Sequence, residues 1–144
     1  MISNPVQTIF YTIEQTIKEY RKYAQKNISK QIEDITLDQA LVLMILNSEP
    51  ELTQKEIANF LYKDYASLTR MIELMVEKGY LTRAINHKDR RRFKLEITKK
   101  GMLAVEKLKP IILVNRANSL KGISQDEIKI LSNLLNKIIN NLSK

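Results

Sequence analysis

Residues Thr53–Gly79 read TQKEIANFLYKDYASLTRMIELMVEKG, and Tyr80–Gly101 continue as YLTRAINHKDRRRFKLEITKKG. The hydrophobic period changes once along this stretch, and the change decides the fold. Before Gly79, Leu68, Ile72 and Met75 recur at spacings of four and three, the period of a helix face. From Phe93 to Thr98 apolar and polar residues alternate, the period of a strand with one buried face. Thr53-Gln-Lys-Glu56 has the pattern of a capping box, so a short helix is predicted to start there. Tyr62-Lys63-Asp64 is a tight polar break, and a longer helix after it is predicted to end at Glu77-Lys78-Gly79, with Gly79 in the left-handed closing position. Leu81–Asn86 is the plausible antiparallel partner of the second strand, with His87–Arg92 as a polar hairpin tip. The order is two helices joined by a turn, then a two-stranded wing.

Helix extends outward from this segment on both sides. Thr36 with Gln39 forms a second capping box, and a buried helix is predicted through Leu46. From Pro5 to Ile28, Val6, Ile9, Ile13, Ile17, Tyr20 and Ala24 mark one apolar stripe. Downstream, a helix is predicted over Lys99–Lys121, with Pro110 expected to kink or interrupt it because its ring clashes with the preceding turn. Ser124-Gln-Asp-Glu127 opens a last helix over Gln125–Leu142. Its Ile128, Leu131, Leu135, Ile138 and Leu142 follow a 3-4-3-4 spacing, a seam that wants a partner helix. Three glycines and three prolines are too few for a turn-rich all-β fold, so the chain is read as mainly α. Its 144 residues make one domain, long enough to bury a core without disulfides.

Composition removes whole classes of chemistry. There is no cysteine, which excludes a thiol nucleophile, a disulfide framework and a thiol redox sensor. The single histidine, His87, leaves a Ser-His-Asp triad arithmetically possible but no site that needs two imidazoles. No carboxylate pair or glycine-rich phosphate loop occurs, so neither an enzyme nor a cofactor is expected. The longest apolar run, Ala40–Leu46, is far short of a membrane span, and Met1–Phe10 has no secretory pattern. A cytoplasmic protein with no membrane partner is therefore expected.

Charge is concentrated in one place. The chain carries +8, and Leu81–Lys100 alone holds eight basic residues against two acidic ones, or +6 of that total. A compact basic hairpin attracts a polyanion by releasing its counterions. Beside a helix-turn-helix, it provides one element shaped for the major groove of DNA and one narrow enough for the minor groove.

On the longer helix of the pair, Leu68, Ile72 and Met75 share the inward face, flanked by Met71 and Val76. Ala66 and Arg70 point the other way, with Ser67 and Thr69 on the flanks. Small and hydrogen-bonding side chains followed by a guanidinium suit close approach to base edges. Glu73 and Glu77, further along the same outward face, would be repelled by phosphate, so only the first half of this helix is expected to enter DNA.

The sequence resembles the MarR family of winged-helix transcription regulators over nearly its whole length. The residues that carry the resemblance are Glu77-Lys-Gly-Tyr-Leu-Thr-Arg83, Asp89-Arg-Arg91 and Ile97-Thr-Lys-Lys-Gly101. It implies a winged helix-turn-helix with a two-stranded β wing, a DNA-binding lobe over residues 36–100, and dimerisation helices over 1–30 and 101–144 of a single chain. By the same resemblance Arg91 enters the minor groove, Asp89 stabilises the wing, and Arg90 and Arg92 track phosphates. Lys55, Lys63 and Arg83 are reasonable further phosphate contacts, which set position rather than sequence preference. The implied partners are a second copy of the chain, a pseudo-palindromic duplex operator, and a small-molecule effector, for which a crevice lined by Tyr11, Tyr20 or Tyr23 is one candidate. The implied role is a repressor released by that effector. The alternative is a winged-helix interaction module that binds another polyanion or a protein without operator specificity.

Overall fold

A computed structural model describes residues 4–85 and 93–143. After a 3₁₀ turn at Pro5–Gln7 come α1 (Ile9–Gln31), α2 (Leu37–Ser48), α3 (Gln54–Phe60), α4 (Tyr65–Glu77), β1 (Leu81–Ile85), β2 (Phe93–Ile97), α5 (Lys99–Ser119) and α6 (Gln125–Leu142). The fold is mainly α with a two-stranded wing, as the change of period predicts.

The helix starts are written into the sequence as caps. Thr8, Thr36, Thr53, Asp64, Thr98 and Ser124 each accept, through a side-chain oxygen, the backbone N–H three residues on. Each such cap is worth about 1 kcal/mol. The reciprocal bond of a full capping box forms at Thr36 with Gln39 and at Ser124 with Glu127. At Thr53 the cap is one-way, because the exposed Glu56 carboxylate does not return to the Thr53 N–H.

Two expectations about the long helices are corrected. Thr8 restarts the first segment as an α-helix that continues to Gln31, three residues past the predicted end at Ile28. Pro110 does not interrupt α5, which runs unbroken from Lys99 to Ser119. Both Pro110 and Glu106, whose carbonyl loses its usual partner, lie on the exposed face, where water can replace the missing N–H.

One buried cluster holds the elements together. Ala24 and Ile28 of α1, Val42, Leu43 and Leu46 of α2, Ile57 of α3, Leu68, Ile72 and Met75 of α4, Leu81 and Leu95 of the wing, and Val105 and Leu108 of α5 all belong to it. The inward face assigned to α4 is therefore the buried one. The wing is antiparallel, with Leu81 opposite Ile97 and Arg83 opposite Leu95. Its base is fastened by polar contacts: Thr98 Oγ1 donates to Gly79 O at 2.5 Å, and Thr98 N donates to Tyr80 O at 3.1 Å. The Tyr80 hydroxyl donates to Asp34 Oδ1 at 2.6 Å, and Lys100 Nζ stands 4.5 Å over the Tyr80 ring while donating to Lys78 O. Burial first, and then the Asp34 carboxylate, push the Tyr80 phenol up to about 12, so it stays a neutral donor through the physiological range.

Outside the core, apolar surface is left bare. No residue of α6 is buried, although Ile130, Leu131, Leu134, Ile139 and Leu142 are large and exposed. The first half of α1 likewise exposes Ile9, Phe10 and Ile17.

Candidate nucleic-acid interface

The turn between α3 and α4 fixes how the second helix is presented. Lys63 N donates to Ala58 O at 3.0 Å, and Tyr62 takes a left-handed backbone with φ of +53°, uncommon for a non-glycine residue. Asp64 then caps α4 twice over, accepting from both Ser67 N and Ser67 Oγ at 2.8 Å. These bonds, led by the one from the Ser67 backbone, hold the Asp64 carboxyl below its ordinary value, so it stays ionised and engaged at the helix end. Gln54 Nε2 donates to Thr69 Oγ1 at 2.6 Å, and Thr69 Oγ1 donates to Tyr65 O, which ties the start of α3 to the first turns of α4.

These bonds sort the candidate residues. Ala66 and Arg70 are exposed on one outward face of α4. Ser67 is also exposed, but its hydroxyl hydrogen is committed to the cap. Thr69 is half-buried and braces the two helices. Lys55 is exposed near the start of α3, and Arg83 is exposed on β1. Neither Arg70 nor Arg83 takes part in an ion pair among the described residues. Asp89, Arg90, Arg91 and Arg92 lie outside the described residues, as does the expected hairpin tip.

Lys63 sits in a different setting from the one its position in the turn suggests. Its Nζ pairs with Asp38 Oδ2 at 3.0 Å, while Arg21 Nη2 holds Asp38 Oδ1 at 2.5 Å. This triad joins α1, the start of α2 and the turn of the helix pair. Burial is the largest single influence on Asp38 and pushes its carboxyl up; hydrogen bonds and charge from Arg21 and Lys63 together outweigh it and hold the group below the ordinary carboxylate value. A depressed folded-state pKa stabilises the fold above the unfolded-state value of 3.8, and this contribution is lost as pH falls through the lower folded-state value. Asp38→Asn is therefore expected to cost about 1–2 kcal/mol at neutral pH, with a shrinking difference from the native chain below about pH 4. Urea titrations at pH 7 and pH 3 check this; an equal difference at both would contradict it.

The sequence reading missed Tyr62, 94% exposed in the turn, and Tyr65, 58% exposed at the start of α4. Both stand at the end of α4 that is expected to approach DNA. No glycine or asparagine in Leu61–Asp64 marks a left-handed position, so this turn geometry left no signal in composition. The three tyrosines proposed for an effector crevice do not converge. Tyr23 lines a cavity between α1 and α5, Tyr11 borders a separate pocket with Glu14 and Lys18, and Tyr20 packs on the core.

The model of the MarR family matches residues 35–93, from the residue before the cap of α2 to the start of β2. The curated relative HTH-type transcriptional regulator SarZ from Staphylococcus haemolyticus is 28% identical over 141 residues, covering 97% of this chain and 90% of the relative. Over residues 35–93, its helix-turn-helix and the start of its wing, the chain is similar to the MarR family of winged-helix, DNA-binding transcriptional regulators, a non-enzymatic class. A cysteine-to-serine mutant of MarR from E. coli, complexed with operator DNA, superposes on this chain with a TM-score of 0.84 at 24% identity, covering 94% of this chain and 99% of that one. A structure of Bordetella bronchiseptica BpsR, described as showing how 6-hydroxynicotinic acid regulates its DNA binding, superposes with a TM-score of 0.83 at 18% identity, covering 96% and 97%. Both likenesses concern the fold. Among the described residues no helix is long and apolar enough to cross a membrane.

Proposed function

We propose that this MarR-family protein is a homodimeric cytoplasmic repressor that holds a pseudo-palindromic operator and leaves it when a small-molecule effector binds. The observation that carries the dimer is α6, which has no buried residue in a single chain yet exposes an apolar face bounded by Ile130, Leu131 and Leu134. A second copy laid along it, together with the bare half of α1, removes that surface from water. Within the dimer, residues 36–100 read DNA, whereas 1–30 and 101–144 join the copies.

On each half-site, the first turns of α4 enter the major groove. Ala66 allows close approach, Arg70 meets a guanine edge or a phosphate, and the remaining lone pairs of Ser67 and Thr69 accept from bases or water. Arg91 reaches the neighbouring minor groove, steadied by Asp89, while Lys55, Arg83, Arg90 and Arg92 neutralise phosphates. Lys63 joins them only when DNA competes for it with Asp38. The operator complex of MarR and the regulation of BpsR by 6-hydroxynicotinic acid support operator binding and effector release. An effector acts by binding better to a spacing of the two α4 helices that does not match DNA.

Selection of bound sequences from a random duplex pool tests this reading. The expected result is a two-fold symmetric motif with half-sites about one helical turn, roughly 34 Å, apart, whose log affinity falls linearly with log salt. A pool that returns no consensus would favour the interaction module instead.

A further inference from the structure

Two tyrosines at the leading edge of the helix-turn-helix keep most of their surface in water. Tyr62, in the turn between α3 and α4, is 94% exposed, and Tyr65, the first residue of α4, is 58% exposed. Neither hydroxyl has a hydrogen-bond partner among the described residues. Elsewhere tyrosines are engaged by the chain itself: the Tyr80 hydroxyl donates to Asp34, the Tyr23 hydroxyl accepts from Asn118 Nδ2, and Tyr20 packs on the core. Tyr62 also holds its backbone at φ +53°, where a Cβ crowds the carbonyl that follows and which glycine would adopt freely. A strained residue whose side chain packs on so little of its own fold points to a use outside it. The neighbours set what that use is. Tyr65 directly precedes Ala66 and stands one helical turn before Thr69, at the end of α4 that also carries Arg70. No carboxylate of α4 occurs before Glu73, and the Asp64 carboxylate is turned to Ser67 N and Oγ. Lys55 and Arg70 are exposed cations of the same helix pair, so the surface around the two rings suits a polyanion.

We infer that Tyr62 and Tyr65 are DNA contacts with separate tasks: Tyr65 lays its ring against the C5-methyl of a thymine in the major groove, and Tyr62 donates its hydroxyl to a phosphate oxygen beside that base. The first contact sets sequence preference and the second sets position. Thymine is singled out because its methyl is the one apolar group that the base pairs present in the major groove, and an aromatic ring face gains by covering it. Tyr62 precedes the cap of α4 by two residues, at the corner of the motif, where contacts to the sugar–phosphate backbone fall. The inference rests on the operator reading of α4 and adds to it a named base and the side chain that selects it.

The test takes the consensus duplex recovered by the native full chain from a random pool and replaces its thymines, one symmetry-related pair at a time, with deoxyuridine, which lacks only the methyl. One such pair is expected to weaken native binding by about tenfold, the size of two lost methyl contacts. Tyr65→Phe, which keeps the ring, is expected to show the same loss, whereas Tyr65→Ala should bind thymine and deoxyuridine duplexes equally. Tyr62→Phe, which lacks only the hydroxyl, is expected to bind about tenfold more weakly to every duplex without a change of preference. Tyr62→Gly relieves the backbone strain, so its urea midpoint should be no lower than that of the native chain while its DNA affinity falls as far as that of Tyr62→Phe. A consensus in which every thymine pair can be replaced without loss, or a loss that is equally large in Tyr65→Ala, would overturn the role of Tyr65 and leave operator binding standing. Native DNA affinity in Tyr62→Phe, or a lower midpoint with native affinity in Tyr62→Gly, would overturn the role of Tyr62 and show a structural residue instead. A pool that returns no consensus overturns the inference together with the reading it rests on.

Discussion

Gly101→Ala is expected to lower the unfolding free energy by about 2–3 kcal/mol, a large share of the roughly 5–15 kcal/mol that holds a domain of this size together. A Cβ at this position would stand 2.3 Å from Tyr80 O and 2.6 Å from Ile97 Cγ2. Neither neighbour can yield cheaply. Tyr80 O is backbone and accepts from Thr98 N, and Ile97 is the last residue of β2, opposite Leu81. Relief therefore requires the start of α5 to move away from the base of the wing, breaking the Thr98 cap and its bond to Gly79 O. Alanine's better helix propensity, worth about 1 kcal/mol, offsets only part of this. Gly122 is the control: its φ is +82° and a Cβ there meets nothing within 4 Å, so Gly122→Ala is expected to cost only about 1 kcal/mol of backbone strain. Urea denaturation measures both through the midpoint at unchanged slope. A Gly101→Ala chain as stable as the Gly122→Ala chain would show that this junction is not locked. Because the same junction aims the wing, weaker DNA binding should accompany the loss of stability.

The sequence revealed most where one residue type has one physical use. Thr36, Thr53 and Ser124 were legible as helix starts because a hydroxyl three residues before a free N–H does little else, and the period change after Gly79 placed the wing. The buried face of α4 followed from spacing alone, since Leu68, Ile72 and Met75 can meet a core only together. What stayed hidden were contacts between residues far apart in sequence. Nothing in Arg21, Asp38 and Lys63 read singly announces a triad linking α1 to the turn of the helix pair. Pro110 misled because a propensity rule ignores which face of the helix meets water. The hydroxyls of Ser67 and Thr69 looked free for bases, whereas Asp64, Gln54 and Tyr65 engage them within the chain. The hydrogen bond from Asn27 to Asn115 has no sequence signature, since the two lie 88 residues apart.

The proposed contact surface rests on two arginines supplied by different parts of the chain, Arg70 from the first half of α4 and Arg91 from the wing sequence. Arg70 is exposed and unpaired among the described residues, so removing it leaves no buried charge behind and should spare the fold. Each specific arginine contact to DNA is worth about 1–3 kcal/mol. Glu73 and Glu77, exposed further along α4, cannot take over the role, because a carboxylate gains nothing from phosphate. The most direct measurement is the affinity of Arg70→Ala/Arg91→Ala for the duplex recovered from the random pool, at fixed salt, beside circular dichroism and sedimentation of the same chain. The predicted result is a loss of about a hundredfold or more with helix content and dimerisation unchanged; binding that stays within about threefold of the native chain, a difference worth well under one such contact, would contradict it.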